Sequence, residues 1–468
     1  MPLLTARRGL WALLVTATGL LACAAPETPP PAIGVTQPVR WQEASVAENV
    51  GPVLPDPWWQ ALQDPVLDRL MPLARFTSVE QALARVDEAR AQLGQQQAAA
   101  QPQLHGALGA QRGTEQNGGL QLVSRAGPSA QLGWELDLWG RLAQGRKAAE
   151  QRGVQREADT ALAQLMAQAQ LVELVQQERA CRRSLGLLQA DERSWSQALR
   201  LQHERLRLGA LSEQGLARQE GQAALLRFQL AGTQGQCRSL RQALRALAGV
   251  ANEMLDETLA LESAQWRRPP ALQPQQPAAL LMRHPQVRSA SAAADAAALD
   301  VGAARAARLP SLNLAALLAH QWLRVLGQGS EQQPWSGSVS LAGALWDGGA
   351  GSARVDAAGA RLRLALAGLD QALRQTVREV ESALAQQAAA QQQWQAAQQR
   401  VLAGEQSWRA AQSAAAAGRM NVIEFEEAAR QQRALELAAV AAQRDLDLAW
   451  TGVIKSAGLA PLHFESQP

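Results

Sequence analysis

The chain of 468 residues contains no tyrosine and only four phenylalanines, so 14 tryptophans supply nearly all of its aromatic surface. With so few large rings, thin and closely spaced elements are expected rather than a thick aromatic core. A formal charge of +3, with no basic block, excludes a nucleic-acid footprint. The five histidines, His105, His203, His284, His320 and His463, are scattered and never fall at metal-ligand spacing. No phosphate-cradling glycine loop and no G-x-S-x-G turn is present. No cofactor and no enzymatic reaction is therefore expected, and acid pairs such as Glu426-Glu427 read as a solvated helix face. What the chain has in abundance is alanine and glutamine, both strong helix formers.

Past its first residues the chain also lacks any run apolar enough for a transmembrane helix. The first residues read as a processing signal: Arg7 and Arg8 precede an apolar run from Gly9 to Leu21, too short to span as a mature helix. Leu20-Leu21-Ala22-Cys23 resembles a bacterial lipobox, which makes residues 1–22 a lipoprotein signal peptide and Cys23 the lipidated first residue. Cleavage after Ala24 is the alternative. Residues 23–57 form a proline-rich arm.

The longest signal is helical. From Arg141 to about Leu208, apolar positions such as Leu171, Leu174, Cys181, Leu185 and Leu188 recur in steps of three and four, the pattern of a coiled-coil seam. A helix of that length extends about 100 Å. The chain turns at Gly209-Ala210-Leu211-Ser212 and returns to Ala248 with a matching seam through Leu216, Ala223, Leu226, Cys237 and Leu244. Cys181 lies 28 residues before Gly209 and Cys237 lies 28 after it, so antiparallel helices set them at equal height on facing seams. A Cys181–Cys237 disulfide is expected in an oxidising compartment; two small buried hydrophobes are the alternative.

Between Pro102 and Gly140 the period drops to two. Ala130, Leu132, Trp134, Leu136 and Leu138 alternate with polar residues and glycine, which predicts a strand with one apolar face over about 128–140. Its partner is placed at 103–112, across a loop at 113–119. The chain then repeats. Pro102 has a counterpart in Pro310, Trp139 in Trp346 and Gly209 in Gly418, at offsets of 207 to 209. The first repeat is set at 58–268, with a β-hairpin over 102–139 and a helical hairpin over 140–248. The second is set at 269–458, with a β-hairpin over 310–346 (strands 311–323 and 335–346), a helical hairpin over 348–456 and its own tip at Gly418-Arg419-Met420-Asn421. Residues 459–468 are left as a tail.

This doubled order, helix, β-hairpin and long helical hairpin, resembles the TolC-like outer-membrane factors. The stretch Asp56-Pro57-Trp58-Trp59-Gln60-Ala61-Leu62 through Leu70 resembles the NodT branch of efflux lipoproteins. The helix–strand turns at Pro102, Gly140, Pro310 and Gly348 and the two tips carry the rest of the likeness. The resemblance implies a mainly α fold with a small transmembrane β part. Three copies would form a trimeric 12-stranded β-barrel continued by a periplasmic α-helical coiled-coil tunnel. It implies an outer-membrane channel of a tripartite efflux system, passively passing small molecules from an inner-membrane pump and its periplasmic adaptor. The adaptor would dock at the tips. Independently of family, four strands per chain cannot close a barrel, so copies must share one. A type I protein-secretion duct and a lipid-anchored periplasmic scaffold without a pore are the competing readings.

Overall fold

The computed structural model describes residues 41, 57–116, 120–261, 266, 268–270, 272, 277–325 and 328–458, all of them within the compact unit Val35–Pro468. The signal peptide, Cys23, nearly all of the arm and the tail lie outside the described residues.

In chain order the described elements are α1 (Pro65–Leu70), α2 (Thr77–Ala99), β1 (Gln103–Gln116), β2 (Leu120–Leu136), α3 (Arg141–Arg207), α4 (Glu213–Ala248), α5 (Asn252–Leu259), α6 (Pro277–Arg283), α7 (Pro285–Ala306), β3 (Ser311–Ala319), β4 (Gln321–Val325), β5 (Gln328–Gln332), β6 (Trp335–Ala342), α8 (Ala350–Ala416) and α9 (Val422–Ala457). The two long helices, α3 and α8, are each 67 residues, and the two return helices, α4 and α9, are each 36. The same local chemistry ends them. Gly140 and Gly349 take φ of +74° and +89° just before the long helices, and Gly249 and Gly458 take +66° and +63° after the return helices. A left-handed backbone costs a glycine nothing sterically.

The second helical hairpin starts two residues later than expected from sequence. Gly349, not Gly348, is the residue that precedes it, and Asp347 accepts from the N–H groups of both Gly349 (2.9 Å) and Gly351 (2.6 Å). Two main-chain donors favour the charged carboxylate, so the Asp347 carboxyl is held below the usual range.

Helix α3 is the spine. Its sheet-side half packs against α2 and α7, and its far half packs against α4 and α9; α7 and α9 also pack on α8. Each half is thus a layer of helices, ordered α2–α3–α7–α8 near the sheet and α4–α3–α9–α8 toward the tips. Ion pairs fix both: Arg152 with Asp300 (2.5 Å) in the first layer, and Arg433 with Asp191 in the second. At the bottom of the α3–α4 seam Glu178 is fully buried, paired with Arg182 (2.8 Å) and Arg241 (3.1 Å), which is how a seam position tolerates a carboxylate.

The main core lies where α3 changes partners. Trp58, Val66, Leu67 and Leu70 from the amino-terminal motif meet Leu165, Leu171 and Val172 of α3, Leu244 of α4, and Trp450 and Ile454 of α9. Each fully buried leucine there contributes about 1.5–3 kcal/mol. Polar ends are satisfied: Asp64 caps α1 through Val66 N–H and pairs with Arg179 at 2.5 Å, and the Trp58 indole donates to Gln168. The connector between the repeats is bound to the same region. Trp450 donates to the Pro270 carbonyl (2.8 Å), and Trp266, under the Arg183 guanidinium, donates to Asp447 (2.6 Å).

Asp447 is 3% exposed, and burial pushes its carboxyl up to about 7 against the hydrogen bonds from Gln443 and Trp266 and the charge of Arg179. The folded chain therefore holds this proton more tightly than the unfolded one. The associated stability is complete below about pH 4 and is lost as pH rises through 7, at up to roughly 1.4 kcal/mol per pH unit. Thermal melts from pH 5 to 8 should show a downward slope in the wild type that is visibly flatter in Asp447→Asn; parallel curves would refute the assignment.

Candidate functional site

The strands form one sheet of four lines, because β3 and β4 both pair with β2 and their returns β6 and β5 continue the same ladder. Across it the lines run β1, β2, β3–β4 and β6–β5. The register sorts side chains by face. Leu104 opposes Leu132, Leu132 opposes Ala316, and Ala316 opposes Gly337; one step along, Trp134, Leu314 and Val339 align, then Leu136, Leu312 and Leu341. That face is apolar. The alternate face carries His105 opposite Gln131, and Glu135 opposite Asn313 and Asn313 opposite Ser340. From Ala126 to Leu136 the apolar positions of β2 cover a height of about 25 Å when the strand is tilted as in a barrel, the thickness of a barrel's apolar band. Both edges, β1 and β5–β6, have unpaired ladders, and every residue of β5 and β6 is exposed.

Two expectations need correction here. The first hairpin is longer than expected, paired out to Gln116 opposite Leu120, and the loop shrinks to match. The second is not two long strands: it breaks at His320, β6 ends at Ala342, and Trp346 lies beyond it, 89% exposed. Prolines mark the break. His320 N–H donates to the Pro128 carbonyl and Ala319 N–H to the Pro334 carbonyl, both at 3.0 Å, and neither proline returns a donor. Gly127 faces the same point; a Cβ there would lie 1.8 Å from the His320 carbonyl oxygen. Beyond this crease neither face is uniform: Leu122 and Trp322 stay on the apolar side, and Gln111 and Arg125 on the polar one. Val123, Leu323 and Val325 also fall on the polar side, and Arg112, Ser124 and Arg324 on the apolar one.

The strand–helix junctions are fastened by side chains. Pro102 directly precedes β1 and Pro310 directly precedes β3. The Trp139 indole donates to the Pro310 carbonyl (2.7 Å), joining the junctions of the two repeats, and Arg141 makes a two-pronged contact with Glu135.

At the far end, the tip residues Gly209, Ala210, Leu211 and Ser212 and their counterparts Gly418, Arg419, Met420 and Asn421 make the same turn twice. Ala210 N–H reaches back to the Arg205 carbonyl and Gly209 N–H to Leu206; Arg419 and Gly418 do the same to Ala414 and Ala415. Ser212 then caps α4, and Asn421 caps α9 in a reciprocal box with Glu424. Behind the tips lies a polar seam that sequence reasoning missed. Ser194 of α3 bonds Glu426, and Arg430 of α9 bonds Glu427 (2.7 Å) and stacks 4.4 Å over Trp195. Glu426 is therefore engaged between helices, whereas Glu427 pairs with Arg430 of its own helix and stays exposed. No local signal reveals this, because the partners lie more than 230 residues away. The structure joins Cys181 to Cys237 by a disulfide with Cα atoms 5.6 Å apart.

The helix layer is as open-edged as the sheet. Its outermost members toward the tips are α4 and α8, and these expose large apolar side chains: Phe228 (77%) and Leu225 on α4, Leu364 and Leu402 on α8.

The sequence profile of the outer membrane efflux protein family matches residues 72–250 and 277–459, both repeats from the first core helix to the end of α9. The chain belongs to this family. Among its relatives, the pyoverdine export outer membrane protein OpmQ of Pseudomonas putida is 29% identical over 316 residues, covering 64% of this chain and 66% of that protein. The outer membrane protein OprJ of Pseudomonas aeruginosa is 28% identical over 391 residues, covering 81% and 80%. The solved outer membrane channel CmeC of Campylobacter jejuni superposes with a TM-score of 0.80 over 91% of this chain and 92% of that one at 18% identity, which shows a shared fold. Within an outer membrane efflux protein, the 25 Å apolar face is the surface suited to lipid and the opposite face to water.

The faces differ in what they tolerate. Leu132→Arg, on the apolar face, should destabilise the membrane-inserted state by about 2–4 kcal/mol, whereas Gln131→Arg next to it should leave insertion nearly intact; equal effects in vesicle-folding titrations would contradict the assignment of faces. Unfolded but unreduced protein should take up no thiol label at Cys181 or Cys237, and Cys181→Ala should cost about 4 kcal/mol for a loop of this size; labelling of both positions without reductant would contradict the bridge.

Proposed function

We propose that this chain is the outer-membrane channel component of a tripartite efflux system, and that three copies close a passive conduit for small molecules. The observation that carries this reading is the doubly open edge. A four-line sheet with an apolar face cannot leave its ladder groups unpaired in hydrocarbon. A helix layer that exposes Phe228 and Leu402 at its two margins calls for the same neighbours. Three copies give twelve strands continued by a tunnel of twelve long helices. The polar sheet face, with His105, Gln131, Asn313 and Ser340, then lines the lumen.

In this reading α3 and α8 extend into the periplasm, and an inner-membrane pump acts through a periplasmic adaptor that docks at Gly209–Ser212 and Gly418–Asn421. Cys23 carries the acyl anchor; one such anchor is marginal alone and adequate as a second element to an inserted wall. The pyoverdine export of a relative supports small solutes as cargo, in line with a lumen-facing side rich in Gln, Ser and Asn that also carries Arg125 and Glu135. The two-faced sheet disfavours a periplasmic scaffold without a pore, which would have no use for an exposed apolar face of this height.

Unheated protein in detergent should migrate as a trimer that heating converts to monomer, and it should give single-channel steps in planar bilayers. Protein that remains monomeric and soluble without detergent would overturn the reading.

A further inference from the structure

Beyond the crease, the sheet presents an ordered series on its outward face. Along β3 and β4 the same-face positions run Leu318, His320, Trp322 and Arg324: apolar, then aromatic, then cationic. Along β1 they run Leu108, Ala110 and Arg112. Arg112 opposes Ser124, and Ser124 opposes Arg324, so the two arginines share one face on either side of a serine, their Cα atoms about 10 Å apart at ordinary strand spacing. Trp322, one same-face step below Arg324, stands edge-on to His320 at 5.0 Å and is 49% exposed. Its indole donates to Glu331 (3.2 Å), the one acidic side chain on this face near the row. Both arginines are exposed, and among the described residues neither has an ion-pair or hydrogen-bond partner.

We infer that Arg112 and Arg324 bind phosphate groups of lipid headgroups in the outer leaflet. The inference rests on the reading of this sheet as a membrane wall. Tryptophan prefers the boundary between hydrocarbon and headgroup, and a guanidinium one step farther out sits at the depth of the phosphates, which it matches with two parallel donors. Ser124 supplies a hydroxyl between them. Three copies would carry six such arginines around the rim against three glutamates at Glu331, each accepting from a tryptophan, so the rim stays net positive.

The test uses full-length protein reconstituted into phosphatidylcholine vesicles containing bis-phosphorylated lipid A, or lipid A stripped of both phosphates. Lipid A retained through detergent extraction is counted per trimer by mass spectrometry, and channel conductance is recorded for the same preparations. Wild type should retain the phosphorylated lipid roughly thirtyfold better than Arg112→Gln/Arg324→Gln, as expected for two interfacial cations. The stripped lipid should be held equally weakly by both, with conductance unchanged. Equal retention by wild type and the double variant, or retention that does not depend on the phosphates, would overturn the site while leaving the channel reading standing. Displacement by inorganic phosphate would reduce it to a simple anion site and also overturn it. If Arg112→Gln breaks the trimer while Arg324→Gln keeps its lipid, the arginines serve contacts between copies and the lipid site falls. Protein that never inserts would overturn both readings together.

Discussion

A main-chain amide in hydrocarbon has no water to bond, so every strand that enters the bilayer must be paired on both sides. In this chain that constraint reaches well beyond the sheet. Four strand lines leave two edges open, and the long helices continue the same layer with two open margins of their own. The junctions transmit the requirement from one to the other, since Trp139 bridges to the Pro310 carbonyl and Arg141 grips Glu135 at the point where sheet becomes helix. The subunit is one segment of a wall, and its main core lies where the amino-terminal motif, α3, α4 and α9 meet.

That core has a particular position along the spine. Near the sheet, α3 is flanked by the short helices α2 and α7; toward the tips it is flanked by α4 and α9. The handover between these partners leaves a gap that alanine-rich helices cannot fill. Trp58 and Trp450, 6.1 Å apart, fill it together with the leucines of α1 and α3. The inter-repeat connector crosses the same level through Trp266 and Pro270. Four of the chain's tryptophans, Trp58, Trp59, Trp266 and Trp450, thus meet at this girdle.

Much of this was legible in the sequence because the information was local and periodic. Seam positions from Leu171 onward, the glycines at 209 and 418, and the alternation from Ala130 to Leu136 each follow from the geometry of a single element. What was not legible depended on distant partners or on proline. Pro128 reads as the start of a strand, because a proline is a poor interior residue; in the structure its carbonyl still serves His320 and β2 continues on its other side. The break at His320 leaves no mark in its own residues. Glu426, Arg430 and Asp191 look like solvated surface until α9 is laid against α3, and Asp447 looks like any helical acid until Trp266 closes over it.

The two repeats share lengths and end geometry but not reinforcement. Counted along equivalent positions, Cys181 and Cys237 correspond to Ala390 and Leu446 in the second repeat. The covalent link therefore forbids axial slippage of α3 against α4, while α8 and α9 are held by side-chain contacts alone. Of the two coils, the first is thus locked in register by a covalent clasp, and the second keeps its register only through packing.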